Sequence, residues 1–235
     1  MIPTSPLHHL LSKNLSSFYS VVPFDRKKDK LLQLDFTSAN NQLTDEILLD
    51  TDAFTRYIKN LLGNNYAYGI GGYNEHRTIY SRSSKFDSAG EPRRLHLGID
   101  IWGNAGTSVF APLDGRLHSF AFNNYYGDYG ATIILSHQLE GVSFYTLYGH
   151  LSLRDLDGLQ EGLPIAKGVE FAHFGEPPEN GQWPPHLHFQ VISDLSGKTG
   201  DYRGVCKYSE RESYLFNCPD PDLILGMMQY AEKTH

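Results

Sequence analysis

The chain has 235 residues, 40% of them apolar, with 22 glycines, 12 prolines and 13% aromatics; this excludes disorder over the whole length and suffices for one sizeable core. Its formal charge is −7, from 27 acidic and 20 basic residues, so nucleic acid or an anionic membrane is not expected as a main partner. The apolar runs fall short of the ~20 residues of a membrane helix, and the first residues, MIPTSPLHHLLSKNLSSF, lack the apolar centre of a signal peptide, so a cytoplasmic protein is expected.

Residues 1–65 read as a helical extension. Its clearest helix is predicted over Thr51–Leu62, where Phe54, Tyr57, Ile58, Leu61 and Leu62 form one apolar stripe. Asp50 or Thr51 can cap its start, and Gly63 can end it. Residues 66–194 read as the main domain, with short segments punctuated by glycine. Gly69-Ile70-Gly71-Gly72 is expected to be a flexible turn, and strands are predicted over 107–111, 115–122, 131–136, 142–148 and 186–192. Without helical periodicity between these strands, a parallel sheet of strand–helix–strand units is disfavoured. A mainly β fold follows, an antiparallel sandwich or barrel-like core. Residues 195–235 read as a C-terminal extension packed on that core, with a short helix predicted over 221–230. Cys206 and Cys218 are too few for a disulfide framework and are expected as free thiols.

The eleven histidines are unevenly placed. In His186-Leu187-His188-Phe189-Gln190-Val191, strand alternation sends Leu187, Phe189 and Val191 to the core, leaving His186, His188 and Gln190 on the other face. Two adjacent imidazoles can bind a metal or move a proton, although a solvent-facing His-x-His is common. His96-Leu97-Gly98-Ile99-Asp100 places an imidazole and a carboxylate around a glycine that lets the backbone bend. Read alone, it is better explained as a surface histidine and a turn aspartate. His150, in Tyr148-Gly149-His150-Leu151, stands just past a predicted strand. Together the three elements supply two histidines and one aspartate as a hydrolytic zinc set, with further histidines as acid, base or transition-state donor.

The order His96-x-x-x-Asp100, Tyr148-Gly149-His150-Leu151, His186-x-His188-Phe189 resembles the lysostaphin-type zinc metallopeptidases, the LytM-like peptidoglycan endopeptidases. The text between also matches, notably Gly106-Thr107-Ser108-Val109-Phe110-Ala111-Pro112 and Ile134-Leu135-Ser136-His137. The resemblance covers about residues 94–194. It implies a compact antiparallel β fold with one zinc bound by His96, Asp100 and His188, and with His150 and His186 as the catalytic histidines. The segment 175–185 is bulkier than the small-residue loop usual in the family. Both extensions lie outside the family's core.

The function expected is zinc-dependent hydrolysis, of the metalloendopeptidase type, of a peptide or amide bond in a peptide-like substrate, soluble or derived from peptidoglycan. The net charge and the missing export signal favour a soluble molecule. Tyr148 is a candidate helper beside the metal, and Tyr73, Arg77, Arg93 and Arg94 are candidates for holding an anionic substrate. Two other readings use the same residues. One is a silent metal-binding regulatory module, its groove blocked by 177–185 or by the N-terminal extension. The other is an iron(II) oxygenase, whose facial triad is also two histidines and a carboxylate. His137 is expected to make a structural hydrogen bond, and His118 and His173 to be ordinary strand side chains.

Overall fold

The computed structural model describes residues 5–87 and 90–233; the first four residues of the N-terminal extension and the last two of the C-terminal one lie outside them. Helix α1 (Pro6–Asn14) starts at Ser5, whose hydroxyl accepts from the His8 N–H. Strand β1 (Leu31–Gln33), α2 (Asp45–Leu49) and α3 (Thr51–Leu62) follow. α3 matches its predicted span. The Asp50 carboxylate accepts from the Ala53 N–H, and Gly63 ends the helix at φ +51°. Its buried stripe of Phe54, Ile58 and Leu62 packs with Phe36 and Trp102, so this helix supports the strand on which Trp102 lies.

The strands are β2 (Tyr68–Gly71), β3 (Arg93–His96), β4 (Ile99–Trp102), β5 (Ser108–Phe110), β6 (Gly115–Asn123), β7 (Gly130–Leu139) and β8 (Val142–Leu151), then β9 (Pro164–Ile165), β10 (Glu170–His173), β11 (His186–Ile192), β12 (Val205–Lys207) and β13 (Ala231–Lys233). Nine of them form one sheet in the order β13-β1-β2-β4-β11-β8-β7-β6-β9, while β5–β10 and β3–β12 are separate ribbons. From β2 to β9 all neighbours are antiparallel, and β1 runs parallel to both β2 and β13.

The sheet is therefore mixed and open, not a closed barrel, with β13 and β9 as its edges. The departure has a specific source. β1 comes from the N-terminal extension and β13 from the C-terminal one, and both extend the sheet beyond β2. The N-terminal extension is thus helical only in part. The helix predicted over 221–230 is also shorter: α4 (Arg211–Asn217) is followed by α5 (Asp222–Leu225), which Gly226 ends at φ +56° before the chain enters β13.

Gly69-Ile70-Gly71 is a buried strand rather than a turn. A Cβ on Gly69 would lie 2.6 Å from Leu34 Cδ1, so glycine serves close packing here instead of mobility. On β11, Leu187, Phe189 and Val191 enter the main apolar core. The opposite face carries His186, His188 and Gln190, also buried because the loops cover them.

His137, on β7, keeps the structural role expected of it. Its Nδ1 lies 2.9 Å from the Asp114 carbonyl and its Nε2 2.7 Å from the Thr146 hydroxyl. Burial pushes this imidazole down from 6.5 to about 4, so the folded protein resists a proton that the unfolded chain accepts. Its stabilising contribution is complete above about pH 6.5 and is lost as the pH falls toward 4. Denaturant unfolding from pH 7 to pH 4 is expected to show an acid loss steeper in the native protein than in His137→Gln, by up to about 3 kcal/mol. Identical pH slopes would remove His137 as a cause.

Candidate active site

β3 and β4 are joined through Leu97 and Gly98, and β4 pairs with β11 so that Asp100 stands opposite His188. Cross-strand partners project to one face. A Cβ on Gly98 would lie 2.5 Å from His188 Cε1; only glycine lets the β3–β4 turn approach this ring. The outcome is a tight triangle. His96 Nε2 is 2.9 Å from His188 Nδ1, which is 3.0 Å from Asp100 Oδ1, and the third side, His96 Nε2 to Asp100 Oδ1, is 3.3 Å.

The outer hydrogen bonds fix what these atoms present to one another. His96 Nδ1 donates to the Gly72 carbonyl at 3.1 Å, leaving a lone pair on Nε2. His188 Nε2 donates to Gln190 Oε1 at 2.9 Å, leaving a lone pair on Nδ1. Gln190 is held in that orientation because its amide nitrogen donates to the Arg203 carbonyl and the Cys218 sulfur. Two nitrogen lone pairs and a carboxylate oxygen thus converge on one buried point. Burial, reinforced by the nearby Arg77 guanidinium, holds His96 down to about 3, so a proton does not fill the gap at neutral pH. Tetrahedral coordination at about 2.0–2.1 Å separates donors by about 3.3 Å, close to the sides of this triangle. The donor set fits a divalent metal ion.

Behind the triangle lies a second layer of charge. Arg77 is fully buried, ion-pairs with Asp100 Oδ2 and donates from Nε to Glu75 Oε2 at 2.6 Å, while its guanidinium lies 5.3 Å from the centre of the Phe36 ring. Burial by itself would raise the Asp100 carboxyl. The neighbouring His96 ring and the Arg77 guanidinium outweigh it and hold the group well below the usual carboxylate range. Asp100 therefore keeps its negative charge.

His150 and His186 face the same pocket, with ring centroids 4.1 Å apart. His186 is the cross-strand partner of Trp102, and the two rings stack at 3.9 Å and 13°. His150 has φ +63°, which breaks the alternation that would otherwise turn it to the Tyr148 side of β8. This left-handed conformation costs about 1–2 kcal/mol. It is held by the His150 N–H on the Tyr129 carbonyl and the Gly175 N–H on the His150 carbonyl, each at 2.8 Å. His150 Nδ1 donates to the Asn180 carbonyl at 2.7 Å, and His186 Nδ1 to the Pro184 carbonyl at 2.8 Å. Both Nε2 atoms are then free to take a proton. Burial depresses both imidazoles, His150 well below its usual range and His186 to about 4.

All five histidine and aspartate candidates are therefore brought together, whereas of the substrate candidates Arg93 alone reaches the pocket. Arg77 cannot clamp a ligand, because it is sealed behind Asp100. Tyr148 is fully buried on the core face of β8, opposite Phe189, with its hydroxyl 3.0 Å from that of Thr146. The site-facing partner of His188 is instead Gly149. Arg94 ion-pairs with Asp87 at 2.6 Å, and the Tyr73 hydroxyl donates to the Cys218 carbonyl at 2.6 Å; neither lines the pocket. Arg93 does.

Sequence reading missed Tyr129 and gave Trp183 no role beyond a bulky loop. The Tyr129 ring packs against Gly149, where a Cβ would lie 2.5 Å from its Cδ1, and its hydroxyl is 3.4 Å from His188 Nε2. Burial raises this phenol well above 10, so it stays an O–H donor. Its flanking Gly127 and Gly130 are the signal that the sequence offers. Trp183 walls the pocket from the loop before β11.

Residues 94–200, a little under half of the chain, match the model of Peptidase family M23. An uncharacterized metalloprotease of Haemophilus influenzae is 28% identical over 138 residues, covering 56% of this chain and 27% of its own; the chain thus spans about a quarter of that relative. The catalytic domain of the antimicrobial peptidase lysostaphin from Staphylococcus simulans is 22% identical, with a TM-score of 0.40 over 68% of this chain and 97% of that domain. A zinc-containing peptidase from Vibrio cholerae is 26% identical, with a TM-score of 0.33 over 42% of this chain and 27% of its own.

Proposed function

We propose that the protein is a zinc-dependent hydrolase of peptide or amide bonds, with His96, Asp100 and His188 as metal ligands and His150 and His186 as the catalytic pair. The observation that carries this reading is the convergence of three lone pairs on one buried point, with two further imidazole Nε2 atoms aimed into the adjoining pocket. Zinc held there supplies a Lewis acid for the substrate carbonyl and a more acidic water.

The chain's own groups do the rest. Hydrolysis places water's oxygen on the carbonyl carbon, breaks the C–N bond and leaves the extra proton on the departing nitrogen. A neutral imidazole with Nδ1–H tied to a carbonyl accepts at Nε2, so His150 or His186 can take the water's proton and pass it to the leaving amine. The other imidazole, once protonated, and the Tyr129 hydroxyl are the available donors to a developing oxyanion. Catalysis rather than silent metal binding is supported by a cavity of about 70 Å³ left beside these groups. The M23 match supports a zinc peptidase over an iron oxygenase. The substrate is peptide-like, soluble or peptidoglycan-derived. Among the described residues no helix is long and apolar enough to cross a membrane.

Purified protein is expected to hold about one zinc ion per chain, and His96→Ala, Asp100→Ala and His188→Ala each to lose most of it. His150→Ala and His186→Ala are expected to keep zinc but lose ~10²–10⁴ in turnover on peptides. Metal analysis beside chelator-sensitive hydrolysis of a soluble peptide panel and of purified peptidoglycan checks both. Absence of metal-dependent cleavage on every substrate would reject the hydrolase reading. Zinc lost in His186→Ala but retained in His188→Ala would exchange their roles.

Gln190→Leu deletes the acceptor that fixes the His188 tautomer. Zinc affinity, measured by competition with a chromogenic chelator, is expected to fall about 10–100-fold with secondary structure retained. Unchanged affinity would show that Gln190 has no orienting role.

A further inference from the structure

The segment between α3 and β3 is stitched across one side of the pocket. Arg82 donates from Nε and Nη2 to the Tyr126 hydroxyl at 3.1 and 2.8 Å, Ser83 donates to the Tyr126 carbonyl at 2.7 Å, and Lys85 ion-pairs with Asp128. The two segments touch so closely that a Cβ on Gly127 would lie 2.6 Å from Ser83 Cβ. Tyr126 to Asp128 belong to the β6–β7 loop, and Lys85, Gly127 and Asp128 all line the pocket. This seam closes the cleft at that side. A cavity of about 70 Å³ remains on the His150 and His186 side of the seam.

The charges around the pocket indicate the kind of ligand. The Lys85 ammonium is taken by Asp128. Arg203 bonds the Tyr214 hydroxyl at 3.0 Å and has Glu210 at 3.6 Å. Asp201 is exposed at the rim. Arg93 differs from all of these. It lines the pocket half-buried, its guanidinium lies 5.4 Å from the centre of the Phe86 ring, and Nη2 donates to the Lys85 carbonyl. Among the described residues no carboxylate forms an ion pair with it. A guanidinium has five N–H donors in a planar fork that matches a carboxylate.

We propose that the pocket receives the carboxyl-terminal end of a short peptide, its free α-carboxylate on Arg93 and its last amide bond beside His150 and His186, making the enzyme an exopeptidase of the carboxypeptidase type. This rests on the reading of the site as an amide hydrolase. Each turnover adds one water across the last C–N bond, releasing the terminal amino acid with the extra proton on its new amine.

The test uses the zinc-loaded 235-residue chain and a panel of N-acetylated tripeptides, each as the free acid and as the carboxamide. The acids are expected to be cleaved at least about tenfold better in kcat/KM, the worth of one charge-assisted contact. In Arg93→Gln that ratio is expected to fall to near one with zinc content unchanged. Arg93→Lys, which keeps the charge and guards against a folding artefact, should retain part of it. A readout independent of turnover is titration with N-acetylglycine and N-acetylglycinamide followed by NMR. The acid should bind more tightly, and Arg93→Gln should abolish the difference. Equal cleavage of acids and amides, preference for amides, or an acid preference that survives in Arg93→Gln would overturn this proposal while leaving the hydrolase reading intact. Failure to cleave any peptide in a metal-dependent way would overturn the hydrolase reading itself, and the exopeptidase with it.

Discussion

The constraint on which the rest of the structure depends is the meeting of three electron-rich atoms, His96 Nε2, His188 Nδ1 and Asp100 Oδ1, within 2.9–3.3 Å of one another in a buried place. Such a cluster repels itself unless a cation joins it. Each neighbour keeps those atoms electron-rich. Gly72 and Gln190 take the outer imidazole protons, and Arg77 keeps Asp100 ionised while lowering His96. Placing a positive guanidinium beside a cation site looks costly. It is balanced by the Asp100 and Glu75 carboxylates, so Arg77 tightens the donor set without leaving a bare charge in the interior.

Geometry at this point is set by elements far apart in sequence. Asp100 and His188 are cross-strand partners, so sheet register alone fixes their separation. His186 is pressed against Trp102, which packs on Phe36 and on Phe54 of α3. The helix most confined to the N-terminal extension thereby buttresses a catalytic candidate through two aromatic contacts. A side chain locked by stacking loses little further entropy when a substrate arrives.

What was legible in the sequence, and what was not, follows from the range of the interactions. Period-two alternation around His186–Ile192 and the capped stripe of Thr51–Leu62 are local signals, and both elements have the predicted spans. The five site residues were marked by local motifs and a family-like order. Tyr148 was misread because its neighbour His150 adopts φ +63°; a reversal of facing within two residues has no signature in residue type. Arg77, Arg93 and Arg94 could not be separated by sequence, since each is an arginine near a strand. Tertiary partners divide them: Asp100 for Arg77, Asp87 for Arg94, and for Arg93 a backbone carbonyl and an aromatic ring, with Asp201 within electrostatic reach but not ion-paired among the described residues. β1 and β13 were missed because three-residue strands at a sheet edge are too short to carry a pattern.

The boundaries of the family match and of the site are also different things. Residues 94–200 contain all five proposed metal and catalytic residues. Much of the pocket wall comes from outside that range, with Tyr80, Phe86 and Arg93 on one side and Arg203 and Val205 on another. Those flanking segments are anchored to the same core: Val205 is the register partner of His96, and the Gly204 carbonyl accepts from the Leu97 N–H at 2.8 Å. A movement of β12 would therefore be felt at His96, one of the proposed metal ligands. The motif residues and the pocket walls that face them thus come from different stretches of the chain.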